Sequence, residues 1–182
     1  ISIKEIIDII EKESPKILGI SFTTPQSNGA FNLAKRIREH FHNNIKIAIG
    51  GPHISSDPLF FNRFKIFDFA VTGEGEITFT EIVLNVLKNK NESGVFSGKE
   101  VNDLDKIPFP ARHLLDLKNY YLPHYNHKFV TIHTMRGCSF QCSFCSKAVT
   151  GQKVRYRSAK NVIDEIEYAI KKFGAEFVLF TD

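Results

Sequence analysis

Residues 135–149, MRGCSFQCSFCSKAV, hold every cysteine of the 182-residue chain: Cys138, Cys142 and Cys145, at spacing C-x3-C-x2-C. An odd count leaves one thiol unpaired, which argues against a closed disulfide framework. Three soft ligands gathered in eight positions point to a metal instead. The flanks decide how the loop is presented. "FVTIHTMR" reads as a strand running straight into Cys138. Beyond the loop, Ser158 is placed to N-cap a helix whose inner face is Val162, Ile163, Ile166, Ala169, Ile170 and Phe173, with Gly174 as its stop. "EFVLFTD" then reads as the next strand. The loop therefore belongs to a βαβ unit, at the carboxyl end of its first strand, where α/β barrels place their chemistry.

The first hundred residues alternate helix with short β-rich runs. Ser2 with Glu5 forms a capping box ahead of Ile6, Ile7, Ile9 and Ile10, and Ser14-Pro15 ends that helix. "KILGISF", "IKIAIGG" and "FDFAVTG" read as buried strands. Phe31, Ala34, Ile37 and Phe41 mark one helix between them. Phe79, Ile82, Val83, Val86 and Leu87 mark another after the third strand. Asp57 before Pro58 predicts the N-cap and first position of a short helix through Phe64. The pattern is that of an α/β fold: a Rossmann-like parallel sheet with crossover helices. Ligands in such sheets bind beyond the carboxyl ends of the strands. Those ends carry "SFTTPQ", "GGPHIS" and "TGEGE".

From about Val101 the texture changes. "VNDLDKIPFPARHLLDLKNYYLPHYNHK" has three prolines and no sustained period, and reads as a linker wrapped on its neighbours. The expected organisation is residues 1–100 as a Rossmann-like domain, 101–127 as linker, and 128–182 as the opening of a barrel.

At 42% hydrophobic and 12% aromatic, the chain has material for one large or two small cores. No apolar run reaches the length of a membrane span, and no signal segment opens the chain. Free thiols fit a reduced, cytoplasmic setting. A net charge of +4 is too mild to imply nucleic-acid binding. The chain opens on Ile1, its one methionine is Met135, and it closes on Asp182 directly after an apolar run. It reads as a piece of a longer polypeptide.

Two metals compete for the thiols. Zinc would use the C-x2-C half-site of Cys142 and Cys145, with His133 or His127 completing the set; the usual second half-site is missing. An iron–sulfur cube takes thiolates, usually four, so three would leave one iron with an open coordination position. A non-catalytic zinc or electron-transfer module is the competing class of function.

The C-x3-C-x2-C spacing, with an aromatic just before the last cysteine and at the end of a first barrel strand, resembles the radical S-adenosylmethionine (SAM) superfamily. The resemblance implies that Cys138, Cys142 and Cys145 hold a 4Fe–4S cluster whose fourth iron chelates SAM. Reductive cleavage of SAM would then release a 5′-deoxyadenosyl radical. Phe144 matches the position whose ring lies near the adenine. Asp182 matches the end of the second strand, where members contact the SAM amino group, although "FTD" stands where many carry a Gly-Gly-Glu-like segment.

"GIS-x-T", "GGPH" and "GEGE" at the strand ends, followed by the proline-rich stretch and the cysteines, resemble the cobalamin-binding members of that superfamily. By position, Ser21, Thr23, Gly50, Gly51, Gly73 and Glu74 would line the cobalamin nucleotide tail or lower face. For the glycines ordinary turn chemistry is the competing reading, and for Glu74 and Glu76 the positive start of the following helix. His53 reads as a solvated loop histidine. Against the family, a strand–helix–strand ahead of the first helix and all but two barrel strands are missing. The parent is expected to perform methyl transfer or a ring-forming rearrangement on a small-molecule or peptide substrate, with a reductant such as flavodoxin or ferredoxin. A parent whose N-terminal domain is a vestigial scaffold without cobalamin is the other reading. The related tRNA methylthiotransferases carry three further cysteines in their N-terminal domain, and residues 1–137 here have none, which disfavours an RNA substrate. Lys147, Lys153, Arg155, Arg157 and Lys160 form a basic stretch that fits either an anionic substrate or a solvated loop. Open sheet edges predict self-association.

Overall fold

Ser2 and Glu5 make the reciprocal cap the sequence calls for: the Glu5 amide donates to Ser2 Oγ at 3.2 Å, and the Ser2 amide to Glu5 Oε2 at 2.6 Å. They open α1 (Ile3–Glu13), which ends at Ser14 in a left-handed conformation. The computed structural model describes residues 2–90, 92–122 and 127–182. Of the 101–127 stretch, residues 123–126 lie outside the described residues. The chain divides into two compact units, Ile1–Glu100 with Cys142–Thr150, and Val101–Gln141 with Gly151–Asp182.

In the first unit, β1 (Ile17–Ser21), α2 (Ser27–Phe41), β2 (Lys46–Gly50), α3 (Pro52–Ser56), α4 (Phe60–Arg63), β3 (Phe69–Thr72), α5 (Glu76–Leu87) and β4 (Gly94–Ser97) follow in order. The four strands form one parallel sheet in the order β1-β2-β3-β4. Alternation along β2 explains how both faces are covered. Ile47 and Ile49 pack with Ala34 and Ile37 of α2, Ile54 of α3 and Phe60 of α4. Ala48 points the other way and packs with Phe69, Val71, and Ile82 and Val86 of α5. A strand buried on both faces must be apolar throughout, which is why "IAI" shows no polar alternation.

The short helix expected from Asp57-Pro58 through Phe64 is α4, trimmed to Phe60–Arg63 with Leu59 as its N-cap. Two elements were not foreseen. The first is α3, whose C-cap is Asp57: Pro52 opens it because its fixed φ suits a first helical turn and Gly51 supplies the sharp entry. The second is the strand β4, because "GVFS" is too short to show a period.

Asp68 ties the amino ends of the strands together. Its Oδ2 accepts from Arg38 Nη2 at 2.7 Å and the Ile47 amide at 2.8 Å, and its Oδ1 from Lys46 Nζ at 3.0 Å. Burial alone would raise this carboxyl, but the Ile47 amide, Arg38 and Lys46 outweigh it and hold it below the usual aspartate range. A depressed folded-state pKa stabilises the fold above the unfolded value, near 4, and that stability is lost as pH falls through the folded value.

In the second unit, tight turns at Leu104–Lys106, Arg112–Leu114 and Leu117–Asn119 lead to β5 (Tyr121–Leu122). Then come β6 (His127–Ile132), β7 (Met135–Arg136), β8 (Arg155–Tyr156), α6 (Ala159–Phe173) and β9 (Phe177–Phe180). β6 and β9 pair in parallel, Phe129 opposite Phe177 and Ile132 opposite Phe180. With α6 between them they form the expected βαβ. Val130 and Ile132 bury against Val162 and Ala169. Ser158 caps α6 through the Asn161 amide, and Gly174 ends it at φ 64°. The inner face differs from the reading: Ile163 and Ile170 are about half exposed, while Glu165 is 2% exposed. Hydrophobicity at helical spacing misplaced them because Glu165 is held by charge, as described below. β5 pairs antiparallel with β6.

Replacing Asp68 with Asn should cost about 2 kcal/mol, the size of a charge-assisted hydrogen-bond set. It should also flatten the loss of stability on acidification. Urea titrations at pH 7 and at about pH 2.5, below the unfolded value of the carboxyl, measure both, and equal losses at the two pH values would contradict the assignment.

Candidate cofactor sites

The carboxyl ends of β1, β2 and β3 bring three of the sequence segments to one edge of the sheet. The parallel register sets Ser21 opposite Gly50. The Phe22 amide donates to Gly50 O, and the His53 amide to Phe22 O at 3.2 Å. Gly51 has φ 88°, and a Cβ there would stand 2.5 Å from Ser21 Oγ. Only glycine fits both the left-handed backbone and the approach of the first loop. Ser55 joins the second and third loops: its hydroxyl donates to Gly51 O and accepts from the Gly73 amide, both at 2.9 Å. Gly73 has φ 70°. Ser55 was not singled out in the sequence; its place four residues after Gly51, on the turn of α3, was the available signal.

Individual residues differ in what they offer. Ser21 and Thr23 are exposed at the edge, and Gly50 and Gly73 are partly exposed. Thr23 spends its amide and hydroxyl on Gln26 Oε1, at 2.9 and 3.0 Å. Glu74 is 5% exposed, and its carbonyl lies where a Cβ on Gly98 would collide, at 2.0 Å. Its carboxylate is thus part of the interior rather than of an open lower face. His53 is not solvated. It is 8% exposed, 5.5 Å from the Phe22 ring and 4.8 Å edge-on from Phe60, with Nδ1 3.1 Å from Thr24 Oγ1. Burial among aromatics makes it a latch between the first two loops. The edge offers small residues, exposed hydroxyls and no bulky obstruction among the named positions, which fits a planar cofactor laid across it.

In the second unit the approach to Cys138 is clamped. Met135 and Arg136 pair with Tyr156 and Arg155 in the short ribbon β7–β8. Gly137 follows at φ 86°, and a Cβ there would lie 2.1 Å from Lys153 O. The Cys138 amide then donates to Gly151 O at 3.3 Å. Asp182 reaches back from the end of β9. Its carboxylate accepts from the Thr134 amide and hydroxyl and from the Met135 amide at 3.0 Å. Partial burial would raise it, but these donors hold it below the usual range. Asp182 therefore ties the carboxyl ends of β6 and β9 together, three residues ahead of Cys138.

A buried charge group underlies the same turn. Glu165 Oε1 accepts from Arg112 Nη2 at 2.6 Å, and Oε2 from Arg157 Nη1 at 2.5 Å. Arg112 also donates to Thr131 O and Arg157 to His133 O, each at 2.8 Å. Two arginines with two strand carbonyls and one carboxylate explain why Glu165 displaces isoleucine from the inner face.

Cys142 and Cys145 belong to the first unit and are exposed, with the Cys145 amide donating to Cys142 O at 3.1 Å. Ser146 Oγ lies 3.2 Å from Ser56 Oγ. Phe144 is 91% exposed. Among the described residues, no three His, Cys, Asp or Glu side chains are gathered to hold a metal ion. His127 pairs with Glu176 at 3.2 Å, and His133 lies 3.4 Å from Thr181 Oγ1. The donor chemistry remains that of three free thiols on a loop, the set that iron–sulfur clusters use. The basic stretch is largely committed to structure: Lys153 to Asn102, Arg155 to Val101 O, Arg157 to Glu165 and Lys160 to Asp164. Lys153 and Lys160 stay exposed, as the solvated-loop reading expects, whereas Arg155 is buried and Arg157 largely so. No described helix is long and apolar enough to cross a membrane.

Residues 1–83 match the family model of the B12 binding domain. An uncharacterized methyltransferase of Pyrococcus horikoshii is 31% identical over 198 aligned positions, taking in 100% of this chain and 42% of that protein. The cobalamin-dependent radical SAM methyltransferase TokK of Streptomyces tokunonensis is 25% identical over 173, taking in 85% of this chain and 25% of that one. This chain is a relative of the cobalamin-dependent radical SAM enzymes. It spans less than half the length of these relatives. Among solved structures, the cobalamin-dependent S-adenosylmethionine radical enzyme OxsB with aqua-cobalamin bound matches the whole chain at TM-score 0.77 and 22% identity, over 27% of its own length. The radical SAM methyltransferase TsrM of Kitasatospora setae matches 99% of the chain at TM-score 0.69 and 16% identity, over 39% of its own. Identities this low speak to the fold alone, and the four-stranded parallel α/β sheet agrees with them.

Replacing Glu165 with Ala should cost roughly 3–5 kcal/mol, because it strands two buried guanidinium groups. Glu165→Asp, too short to reach both arginines, should fall between. A thermal melt showing Glu165→Ala within error of the parent would contradict the network.

Proposed function

We propose that this chain is part of a cobalamin-dependent radical SAM enzyme that acts at an unactivated carbon of a small-molecule or peptide substrate, by methyl transfer or a ring-forming rearrangement. The observation that carries the reading is a pairing on one chain. A B12-binding match covers residues 1–83, and three thiols sit in the loop between parallel-paired β6 and β9. Residues 1–100 serve as the cobalamin-binding domain, 101–127 as the linker and 128–182 as the opening of the barrel.

Cys138, Cys142 and Cys145 would hold a 4Fe–4S cluster as thiolates. When bound, and with a reductant such as flavodoxin or ferredoxin, the cluster would supply the electron for SAM cleavage and cobalamin the methyl-carrying or radical-controlling chemistry. The chain's own residues do the positioning. Gly137, with no room for a side chain, fixes where the loop departs. Phe144, free on the loop, is available to cover the adenine of SAM. Asp182 holds the Thr134–Met135 turn through three accepted hydrogen bonds, and a carboxylate's remaining acceptor capacity is available to the SAM amino group. Ser21, Thr23, Gly50 and Gly73 form the bed for the cobalamin tail. Gly51 keeps that bed closed on itself, and buried Glu74 supports the third loop.

Anaerobic reconstitution with iron and sulfide should give broad visible absorption and, on reduction, a cubane electron paramagnetic resonance signal. Replacing any one of the three cysteines with Ala should abolish both, since two thiolates do not hold a cube securely. Stoichiometric tight zinc with no iron uptake would replace this reading with a structural metal module.

A further inference from the structure

The segment that carries two of the three thiols is seated on the first sheet. Residues 142–150 group with residues 1–100 rather than with the strand they follow. Exposure falls along the segment: residues 142–146 are exposed, and 147–150 only partly so. Ser146 Oγ lies 3.2 Å from Ser56 Oγ on α3, and Val149 O stands 3.7 Å from where a Cβ on Gly73 would be. Both landing points belong to the carboxyl edge of the sheet, one after β2 and one after β3.

Neighbouring serines of α3 therefore hold two things. Ser55 joins Gly51 O to the Gly73 amide, and Ser56 meets the thiol segment. Residues 146–149 bound the edge on its β3 side, while on its β1 side Ser21 and Thr23 are left exposed. One hydrogen bond between exposed hydroxyls holds a segment only weakly. A ligand laid on the edge can therefore order it by closing its local openings.

We propose that residues 146–149 are the wall of the cobalamin bed on the β3 side, and that cofactor bound there orders the segment bearing Cys142 and Cys145. This rests on the cobalamin reading above. It adds that occupancy of the bed is felt by two of the three thiols before any iron is present.

The test uses the metal-free 182-residue chain and cyanocobalamin, whose cobalt already carries a carbon ligand, so that the thiols stay free for labelling. Equilibrium dialysis measures binding, and mass spectrometry follows iodoacetamide alkylation of each cysteine. At saturation Cys142 and Cys145 should react roughly tenfold more slowly, and Cys138, which belongs to the second unit, should slow by less than about twofold. Ser146→Trp, at an exposed position, should weaken cyanocobalamin binding about tenfold with an unchanged thermal melt, because an indole does not fit between the segment and α3. Ser146→Thr, which keeps the hydroxyl, should bind as the parent does. Binding with the alkylation of Cys142 and Cys145 unchanged would overturn the proposal and leave the cobalamin reading standing. Undiminished binding by Ser146→Trp would do the same. Equal slowing of all three cysteines would also overturn it, because the effect would then not run through this segment. Absence of binding by the parent chain would remove the cobalamin reading and the wall with it.

Discussion

Parallel pairing of β1 with β2 is the constraint on which the first unit depends. It sets Ser21 opposite Gly50, so the two chains leave the sheet side by side and the first loop must pass over the second. The space for that passage exists only because residue 51 has no side chain and can take φ 88°. From there Pro52 starts α3, and α3 delivers Ser55 to the Gly73 amide and His53 to Thr24. One pairing register therefore brings three loops, far apart in sequence, to a common edge. The opposite end of the sheet is closed by Asp68, which leaves the carboxyl edge as the end with exposed small and hydroxyl-bearing residues.

In the second unit the turn that leads into Cys138 is held by polar contacts. Glu165 gathers Arg112 and Arg157, each arginine takes a carbonyl of the β6 exit, and Asp182 takes the amides beside them. A buried group of this kind is costly to form but specific in geometry, and removing one member leaves the others uncompensated. Gly137 and the two-residue ribbon then set the direction in which the chain enters Cys138.

Much of this was legible in the sequence, and the reasons differ by element. The strands "KILGISF", "IKIAIGG" and "FDFAVTG" and the helices α1, α2, α5 and α6 declared themselves through period and caps, because each buries a continuous apolar face. The gathering of the glycine-rich segments followed from parallel topology. What period does not encode was missed. Glu165 looks like a surface residue until its two distant arginines are known, and Ile163 and Ile170 then look buried by default. His53 read as solvated because its aromatic neighbours, Phe22 and Phe60, come from other elements. Asp57-Pro58 carried a start signal whose helix, α4, begins two residues late, and α3, opened by Gly51-Pro52 six residues upstream, is too short to show a period. Asp182 could be placed at a strand end, but its use as a clamp depends on β6 lying beside β9, which no local pattern reports.

The central claim is that the carboxyl edge of the first sheet is a cobalamin bed. Hydrogen exchange of the chain with and without hydroxocobalamin tests it most directly. The account predicts saturable binding, with new protection confined to residues 21–24, 50–56, 72–76 and the adjoining 142–149, and none at the Asp68 end of the sheet. Absence of binding, or protection elsewhere with these three loops unchanged, would contradict it.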